Sequence, residues 1–347
     1  MSARTQLLIQ PSRPCPLCGA RAAHADLQVR RHATDGRAYQ LLRCATCTLR
    51  YTDAVPSAVE CEALYDEDYY TDTPSGRRGR TWWRTGFQQA LYRQRLGVFP
   101  SQNHGRLLEV GCGTGDFLAW LMRQGWEVSG TEISTAACRL AQQRGVPVFQ
   151  GDVAVSGFPE RSFDVIGLWH VLEHLPEPRQ TLHALHRFLR EDGWIVLEVP
   201  NSASPSSRLF GEAWYPLDVP RHVQHFTPST LESLLQRTGF TVVRRLNFHF
   251  WDVPFVAYST MRVMGILDAL RIRSFSGDYQ RAGWWRKTLF LLCAMPLGFV
   301  AALYTVLTVI CSRQGETMTV VAKKTSGVSA AVAMTHPPSV VEATIDA

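Results

Sequence analysis

The sequence carries little net charge, and its amino terminus lacks a secretion signal. Its 36 basic and 30 acidic residues leave a net charge of +6 over 347 positions. This excess suits a membrane surface or an anionic substrate, but it is too small to indicate nucleic-acid binding by itself. Pro11, Arg13, Pro14 and Cys15 interrupt the start of the chain, where a signal peptide needs an apolar stretch. We therefore expect the protein to start and stay on the cytoplasmic side.

The nine cysteines are an odd number, and four of them form two close pairs, Cys15/Cys18 and Cys44/Cys47. An odd count with C-x2-C pairs argues against a disulfide framework and for metal ligation in a reducing compartment. Two such pairs close a tetrahedral zinc site, and the spacer of 25 residues leaves room for a hairpin through Leu27–Tyr39. Because four sulfurs leave no open position, the predicted zinc is structural. The alternative is four unligated thiols.

Residues 105–250 alternate strand-like and helix-like segments, which predicts a parallel sheet covered by helices on both faces. The predicted strands are Arg106–Val110, Trp126–Thr131, Pro147–Gln150, Phe163–Leu168, Trp194–Val199 and Thr241–Asn247. The predicted helices are Asp116–Arg123, Thr135–Arg144, Pro178–Arg190 and Pro228–Thr238. The flanking regions are a zinc ribbon (1–52), an aromatic linker with a helix over Trp82–Phe99 (53–104), an apolar insertion (251–312), a last core strand (313–324) and a disordered tail (325–347). No internal repeat is visible.

A glycine-rich loop follows the first predicted core strand. In the run Leu107–Asp116, Gly111, Gly113 and Gly115 are spaced two apart. Glycine is needed where the backbone takes a positive φ or where a ligand approaches the main chain. Because the loop opens a helix, it lies at the carboxyl edge of the sheet, where such sheets bind ligands. By itself the loop indicates only a nucleotide-like ligand.

Two carboxylates follow the next two predicted strands. Glu132 comes 17 residues after Gly115, where a carboxylate can accept both hydrogen bonds of a ribose diol. Asp152, in the run Gly151–Val153, can accept a hydrogen bond from an adenine amino group. The alternative is a set of tight turns with solvated carboxylates. Three signals in order at three strand ends favour a nucleoside site.

At this point residues 105–250 resemble the class I S-adenosylmethionine-dependent methyltransferases, in the branch with ubiquinone-type and lipid or glycan methyltransferases. The motifs that carry the resemblance are LLEVGCGTGDFL (107–118), GTEIS (130–134), GDV (151–153), FDVIGLWHVLEHLPEP (163–178) and GWIVLEVPN (193–201). The resemblance implies a doubly wound, mostly parallel seven-stranded α/β sheet, with the linker 53–104 covering the cofactor site. It implies that S-adenosylmethionine is held by Glu109, Gly111, Cys112, Gly113, Gly115, Glu132, Ile133, Asp152, Val153 and His170.

A histidine-rich segment, His170-x-x-Glu173-His174, follows the fourth core strand. Its match to an inverted zinc-protease motif is rejected, because that motif needs an uninterrupted helix and prolines follow here. The resemblance implies that the segment lines the pocket where cofactor and acceptor meet. Some ubiquinone-type relatives hold a divalent metal on the Glu-His pair, but His170 stands where they carry an acid. The alternatives are that Glu173 and His174 brace the next helix, or that His170 or His174 is a general base.

A second cluster includes His222 and His225, just before a helix start at Thr227-Pro228. Either histidine can reach the methyl acceptor. It is equally consistent with the pattern that they pack the strand-to-helix connection.

The segment Thr288–Cys311 has 24 residues without a charge. As a helix it measures about 36 Å, enough to cross a hydrocarbon core of roughly 30 Å. If a seventh strand follows at Thr317–Lys323, one crossing is forbidden. We therefore expect a re-entrant hairpin broken near Pro296, or interfacial helices, in the cytoplasmic leaflet. The alternatives are two crossings with Val253–Leu270 as the partner, or a buried core helix.

These patterns predict methyl transfer from S-adenosylmethionine to an amphiphilic acceptor, such as a lipid-linked glycan or a quinone-type hydroxyl, at the cytoplasmic membrane face. One alternative is a soluble small-molecule or sugar methyltransferase. A nucleic-acid methyltransferase that reads through the ribbon has no basic and aromatic clustering to support it. The third alternative is a non-catalytic cofactor-binding scaffold on the membrane.

Overall fold

The structure is a computed structural model, and it describes residues 8–30, 38–57, 60, 82–99, 105–247, 252–270 and 282–325. The strands are β1 (Leu8–Ile9), β2 (Ala23–Arg30), β3 (Ala38–Cys44), β4 (Arg50–Thr52), β5 (Arg106–Val110), β6 (Glu127–Glu132), β7 (Val148–Gln150), β8 (Phe163–Trp169), β9 (Leu189–Pro200), β10 (Gln224–His225), β11 (Phe240–Leu246) and β12 (Thr317–Lys324). The helices are α1 (Trp82–Val98), α2 (Asp116–Arg123), α3 (Thr135–Gln143), α4 (Pro178–Phe188), α5 (Pro205–Phe210), α6 (Pro228–Arg237), α7 (Asp252–Val263), α8 (Ile266–Ala269) and α9 (Trp284–Ser312).

Seven strands form the central sheet in the order β11-β12-β9-β8-β5-β6-β7. The strands from β9 to β7 are parallel, and β12 lies antiparallel between β9 and β11. Strands covered on both faces need apolar side chains on both faces, and β8 meets this need with Val165, Ile166 and Leu168, all buried. The predicted Rossmann-like, mostly parallel seven-stranded sheet is confirmed, including its last strand.

The helices around this sheet begin and end close to the predicted residues. Asp116 starts α2 directly after the glycine loop, and the helix ends at Arg123. The side chain of Thr227 caps α6, and it forms a reciprocal pair with Thr230. In the linker, α1 packs its Tyr92 against the α2 side chain Phe117, with ring centroids 5.3 Å apart. The linker residues 58–59, 61–81 and 100–104 lie outside the described residues.

The amino-terminal strands form a second, antiparallel sheet in the order β1-β2-β3-β4-β10. Strands β2 and β3 are the predicted hairpin, whose tip at 31–37 lies outside the described residues. The edge strand β10 comes from the central domain. The ribbon sheet therefore extends beyond the predicted boundary at residue 52.

The apolar insertion folds into a helical projection, called here the apolar arm, that consists of α7, α8 and α9. Helix α9 runs through Pro296 without ending there, so the predicted break in this helix is wrong. Helix α7 has 12 residues and is therefore about 18 Å long, too short to be the second crossing of a membrane. Of the described helices, α9 alone is long and apolar enough to span one.

One face of α9 packs on the protein, and the opposite face is exposed. Phe290, Ala301 and Thr305 are buried, but only 17% of the most apolar 18-residue window is buried. The exposed apolar side chains extend along the helix, and they include Leu289, Leu291, Leu292, Met295, Phe299, Val300, Leu303, Val306, Leu307 and Ile310. In the described part of the chain α9 is therefore not a buried core helix.

The apolar arm leaves and rejoins the core at one place. The backbone N–H of Glu316 donates to Asp252 Oδ2 at 3.2 Å, which joins the start of α7 to the start of β12. The side chain of Asn247 donates to the carbonyl oxygen of Arg313 at 2.8 Å. Beyond Thr325, the predicted disordered tail lies outside the described residues.

Candidate active site

Three glycines form the turn between β5 and α2. Gly111, Gly113 and Gly115 have φ angles of 65°, 54° and 72°, a left-handed conformation that other residues adopt at a cost. Gly111 also lacks room for a side chain, because a Cβ there would lie 2.6 Å from Cγ2 of Val171. The loop therefore combines a bare backbone with close contact to the segment that follows β8.

Glu132 ends β6 beside this loop and is buried. Its Oε2 accepts a hydrogen bond from the Gly113 N–H at 2.9 Å. Its Oε1 accepts from the N–H groups of Ile133 and Ser134 at 2.8 and 3.0 Å. These bonds hold the carboxylate at the edge of the glycine loop, where the sequence predicts a ribose-binding group.

Glu109 lies under the same loop and is 4% exposed, and its Oε2 has no hydrogen-bond partner among the described residues. Burial raises the pKa of Glu109 to about 8, although the nearby Arg95 opposes the shift. Burial also raises the pKa of the neighbouring Cys112 thiol. A buried carboxyl oxygen without a partner fits a ligand that brings a cation or N–H donors. The amino group of the methionine part of S-adenosylmethionine is such a ligand group.

The adenine side of the predicted site lies at the ends of β6 and β7. Ile133 is 56% exposed, and it offers an apolar surface next to Glu132. Asp152 Oδ1 accepts from the Ala154 N–H at 2.8 Å, which starts a short 3-10 turn, and Val153 is buried behind it. This arrangement leaves the second carboxylate oxygen of Asp152 as an acceptor for an adenine amino group.

His170 lies between two buried carboxylates. Its φ is 55°, its Nδ1 is 3.4 Å from Glu173 Oε1, and its Nε2 is 3.2 Å from Glu198 Oε1. Burial alone lowers the pKa of His170, but the two carboxylates outweigh it and raise this pKa to about 10. Such an imidazole is protonated at neutral pH. Contact with two carboxylates favours the protonated form of the His170 ring, and its role as general base stays a prediction.

Glu173, His174 and His222 form a cluster on the other side of His170. The ring centroids of His174 and His222 are 4.6 Å apart. Each of the three residues offers one metal-ligand atom, and these three atoms lie within 4.8 Å of one another. Nδ1 of His174 donates to the Arg221 carbonyl oxygen at 2.9 Å, and Nδ1 of His222 donates to that of Pro216 at 2.7 Å. Each neutral ring therefore presents Nε2 as a lone pair. The cluster can accept a proton or hold a divalent cation.

The remaining predicted catalytic histidine, His225, lies on β10 and pairs with Arg50 of β4. Burial and the charge of Arg50 lower the pKa of His225 to about 3. His225 is therefore a buried, weakly basic imidazole on the edge strand of the ribbon sheet. This placement is consistent with packing of the strand-to-helix connection, the alternative weighed above. For His222, burial and the nearby His174 lower the pKa well below its usual value.

The four predicted zinc ligands come together. Sγ of Cys15 is 3.4 Å from Sγ of Cys47, and Sγ of Cys18 is 3.5 Å from Sγ of Cys44. These separations are too long for disulfides. The Cys47 N–H donates to the Cys44 sulfur, and the turns after Cys15 and Cys44 close with backbone hydrogen bonds. The donor set fits a tetrahedral zinc ion.

The sequence patterns did not predict two further groups at the site. Glu198 of β9 is buried, and it accepts a hydrogen bond from the hydroxyl of Thr319 at 3.0 Å in addition to its contact with His170. A lone carboxylate inside the apolar run of β9 is a signal that could have identified it. The guanidinium of Arg95 lies 5.0 Å from the centroid of the Trp169 ring. No local pattern indicates this contact between a helix and a distant strand.

The fold and this loop define a Rossmann-like domain with a nucleoside-cofactor site. Residues 83–245 match the family model of a methyltransferase domain. A malonyl-acyl-carrier protein O-methyltransferase of Paenibacillus sp. (strain JDR-2) is 32% identical over 154 residues, covering 40% of this chain and 56% of that protein. A ubiquinone biosynthesis O-methyltransferase of Paracidovorax citrulli (strain AAC00-1) is 32% identical over 113 residues, covering 30% of this chain and 47% of that protein.

Among solved structures, a SAM-dependent methyltransferase of Thermotoga maritima, described as a possible histamine N-methyltransferase, is 25% identical. The match covers 46% of this chain and 74% of that one, with a TM-score of 0.38. The chain spans about half the length of the two curated relatives that it matches. The domain match and the relatives support the predicted class, an S-adenosylmethionine-dependent methyltransferase.

Proposed function

We propose that this chain transfers a methyl group from S-adenosylmethionine to a hydroxyl oxygen of an amphiphilic or lipid-linked acceptor at the cytoplasmic face of the membrane. The observation that carries the proposal is the contact between the site and the apolar arm. The His170 ring centroid lies 6.5 Å from that of Phe255 in α7, and Phe255 lies 5.5 Å from Tyr215. Val171, the residue after His170, contacts the glycine loop. The acceptor side of the site therefore lies between that loop and the apolar arm.

The exposed face of α9 supports a lipid-facing role for the apolar arm. Between Leu289 and Ile310 every exposed side chain is apolar, whereas a helix facing water presents polar groups. Trp284 and Trp285 are exposed at one end, next to Arg286 and Lys287, a pairing that suits the headgroup zone of a bilayer. Because both ends of the apolar arm are fixed to one core, it lies in one leaflet without crossing the bilayer.

The site residues suit a displacement at carbon. S-adenosylmethionine, when bound, supplies an electrophilic methyl group on its sulfonium sulfur. The glycine loop, Glu132 and Glu109 would hold the donor, so that positioning would contribute most of the rate. With S-adenosylmethionine bound, the acceptor oxygen would bond to the methyl carbon as the carbon–sulfur bond breaks and its electron pair stays on sulfur, leaving S-adenosylhomocysteine. The acceptor proton would pass to Nε2 of His174, whose Nδ1 donates to a backbone carbonyl. The buried Glu173 carboxylate stabilises the imidazolium that forms.

The four cysteines complete the proposal as a structural zinc site. Zinc bound by four thiolates has no open position, so it takes no part in the methyl transfer. The ribbon has a small apolar interior, and ribbons of this size depend on metal for their fold.

The test is incubation of the full-length protein with isolated bacterial membranes and methyl-labelled S-adenosylmethionine. We expect label in a product that partitions into organic solvent. His174→Ala should lower the initial rate by about 100-fold with unchanged binding of S-adenosylhomocysteine. Label confined to water-soluble products would favour the sugar or small-molecule alternative. Labelled RNA or DNA would favour a nucleic-acid methyltransferase. Cofactor binding without any labelled product would favour the scaffold alternative.

A further inference from the structure

The ribbon and the acceptor side of the site share one sheet. Strand β4 pairs with β10 in an antiparallel register, in which Tyr51 faces Gln224 and Arg50 faces His225. The backbone N–H of Thr52 donates to the Val223 carbonyl oxygen at 3.0 Å, which extends the pairing by one residue. The residue directly before Val223 is His222 of the histidine cluster. The edge of the ribbon is therefore hydrogen-bonded to the segment that carries that cluster.

Arg13 joins three chain segments at this junction. Its Nε donates to the Thr52 carbonyl oxygen at 3.0 Å, and its Nη2 donates to the Val223 carbonyl oxygen at 3.3 Å. Its Nη1 lies 3.5 Å from the Pro176 carbonyl oxygen, two residues after His174. The guanidinium also lies 5.4 Å from the centroid of the Tyr51 ring. A planar group with five donors in fixed directions can hold these carbonyl groups in one arrangement.

The same segment continues the hydrogen bonds into the catalytic cluster. The Val223 N–H donates to the Glu173 carbonyl oxygen at 2.9 Å, while its carbonyl oxygen accepts from the ribbon. Val223 is thus held from both sides, by Arg13 and Thr52 on one and by Glu173 on the other. Its neighbours supply the carbonyl of Arg221, which sets the tautomer of His174, and the imidazole of His222.

Apolar contacts reinforce this junction. Val29 and Leu41 from the ribbon hairpin form one buried cluster with three side chains of the segment before His222, namely Trp214, Leu217 and Val219. The ribbon therefore supports both ends of the segment that presents Arg221 and His222. None of these contacts involves the glycine loop or Glu132.

We infer that the ribbon acts as a positioning element for the acceptor half of the site, and that Arg13 is its principal positioning residue. Arg13 acts on the imidazoles of His174 and His222 through the backbone of Val223 and Pro176, without touching substrate. Naming this half after the acceptor rests on the proposed function, but the coupling between the ribbon and the histidines does not.

The test compares full-length Arg13→Gln with Arg43→Gln, a matched ribbon variant. The side chain of Arg43 is about half-exposed and pairs with Asp26 at 3.0 Å. In the described part of the chain, none of its hydrogen bonds or ion pairs reaches residues 217–226. In Arg13→Gln we expect amide hydrogen exchange over 172–176 and 217–226 to rise about tenfold, the effect of losing roughly 1.4 kcal/mol of local stability. Exchange over 107–118 and 130–134 should stay within about twofold, as should all four segments in Arg43→Gln.

Two further readouts separate positioning from loss of structure. Long-range proton–nitrogen spectra of ¹⁵N-histidine protein should show His222 as a single Nδ1–H tautomer in the wild type and a mixture in Arg13→Gln. Arg13→Lys keeps the positive charge and can replace one or two of the hydrogen bonds. It should therefore restore part of the Nδ1–H tautomer signal of His222. If Arg13→Gln also raises exchange over 41–47, the ribbon itself has loosened. In that case the inference stands if Arg13→Lys restores the His222 tautomer signal and fails if it does not.

Unchanged exchange over 217–226 and an unchanged His222 signal in Arg13→Gln would overturn the inference. Labelled-product formation by membranes is the separate measure of the proposed function. If the wild type forms no product but Arg13→Gln still releases the histidine segment, the proposed function fails and the coupling stands. If product forms normally and the segment is unaffected, the coupling fails alone.

Discussion

At the scale of single residues, the two buried carboxylates of the cofactor side differ in what surrounds them. Glu132 accepts three backbone N–H bonds, which compensate for its burial. Glu109 has one oxygen without a partner among the described residues, and its pKa is raised to about 8. The Glu132 carboxylate is hydrogen-bonded to the loop, whereas the Glu109 carboxylate has an oxygen that can bind a ligand group. Their substitutions should therefore have opposite effects on the ligand-free protein.

Replacing Glu109 by Gln should stabilise the ligand-free protein at alkaline pH. The unfolded carboxyl ionises near 4.5 and the folded one near 8, so folding takes up a proton between these values. Wild-type stability attributable to Glu109 therefore falls as pH rises from about 5 to 8. We expect the variant to exceed the wild type by on the order of 4 kcal/mol at pH 8 and by less than about 1 kcal/mol at pH 5.

Urea unfolding at the two pH values measures this difference, and S-adenosylhomocysteine binding should weaken in the variant. A stability difference between variant and wild type that is the same at pH 5 and pH 8 would show that Glu109 ionises normally in the folded state.

Replacing Glu132 by Ala should instead weaken both the fold and cofactor binding, because three N–H groups lose their acceptor. We expect affinity for S-adenosylhomocysteine to fall at least 30-fold, about 2 kcal/mol, by titration calorimetry. Glu127→Ala is the matched control, since Glu127 is an exposed residue of the same strand whose side chain pairs with Arg106. Equal losses in the two variants would contradict a ribose-binding role for Glu132.

At the scale of elements, α9 is the feature whose surface departs most from that of a water-soluble domain. Sequence periodicity predicts its extent well, since the uncharged run Thr288–Cys311 lies inside the helix Trp284–Ser312. The sequence does not show that α9 continues through Pro296 without a break. The residue lies on the exposed side, where a missing N–H is least costly. Nor does any periodicity reveal β10, a strand of two residues defined only by its partner.

Replacing Leu292, Met295 and Phe299 together by Gln should release the protein from membranes. Each exposed side chain contributes about 1.5 kcal/mol or more when buried in lipid, so binding should fall by at least 100-fold. Flotation with vesicles of anionic and zwitterionic phospholipids measures the change. Glutamine preserves helix propensity, and Val243→Gln, at an exposed apolar position on β11, is the control. A triple variant that floats with vesicles as the wild type does would sink the membrane proposal.

At the scale of the whole molecule, the ribbon and the methyltransferase sheet form a continuous structure. One buried cluster contains Cys15 and Leu49 of the ribbon together with Leu172 and Phe226 of the central domain. The cysteine spacing predicts the metal site, but not the surface on which the ribbon rests. That surface consists of backbone groups and apolar side chains from distant segments, and no local pattern marks them.

Replacing Cys18 by Ser should remove bound zinc and unfold the ribbon, since a site with three thiolates holds the metal much less tightly. We expect the melting temperature of the full chain to fall by roughly 5 °C or more, while S-adenosylhomocysteine binding stays within about threefold. Metal analysis and thermal unfolding measure both effects. Cys311→Ser, at an exposed cysteine of α9, is the control. A wild-type protein without bound zinc, together with an unchanged melting temperature in the variant, would show that the four thiols are unligated.

The sequence by itself predicted which residues lie together in the cofactor half of the protein. The glycine loop, Glu132 and Asp152 follow successive strands, and in a parallel sheet successive strand ends meet at one edge. The cysteine pairs were equally readable, because each ligand pair is local. Only the tertiary structure decided the chemistry of the histidines. The pKa of His170 is raised because Glu198 comes close from another strand in addition to the nearby Glu173. The tautomers of His174 and His222 are set by carbonyl groups of Arg221 and Pro216. A side chain's protonation depends on its spatial neighbours. For these histidines the neighbours come from β9, β10 and the segment 214–223 that packs against the ribbon.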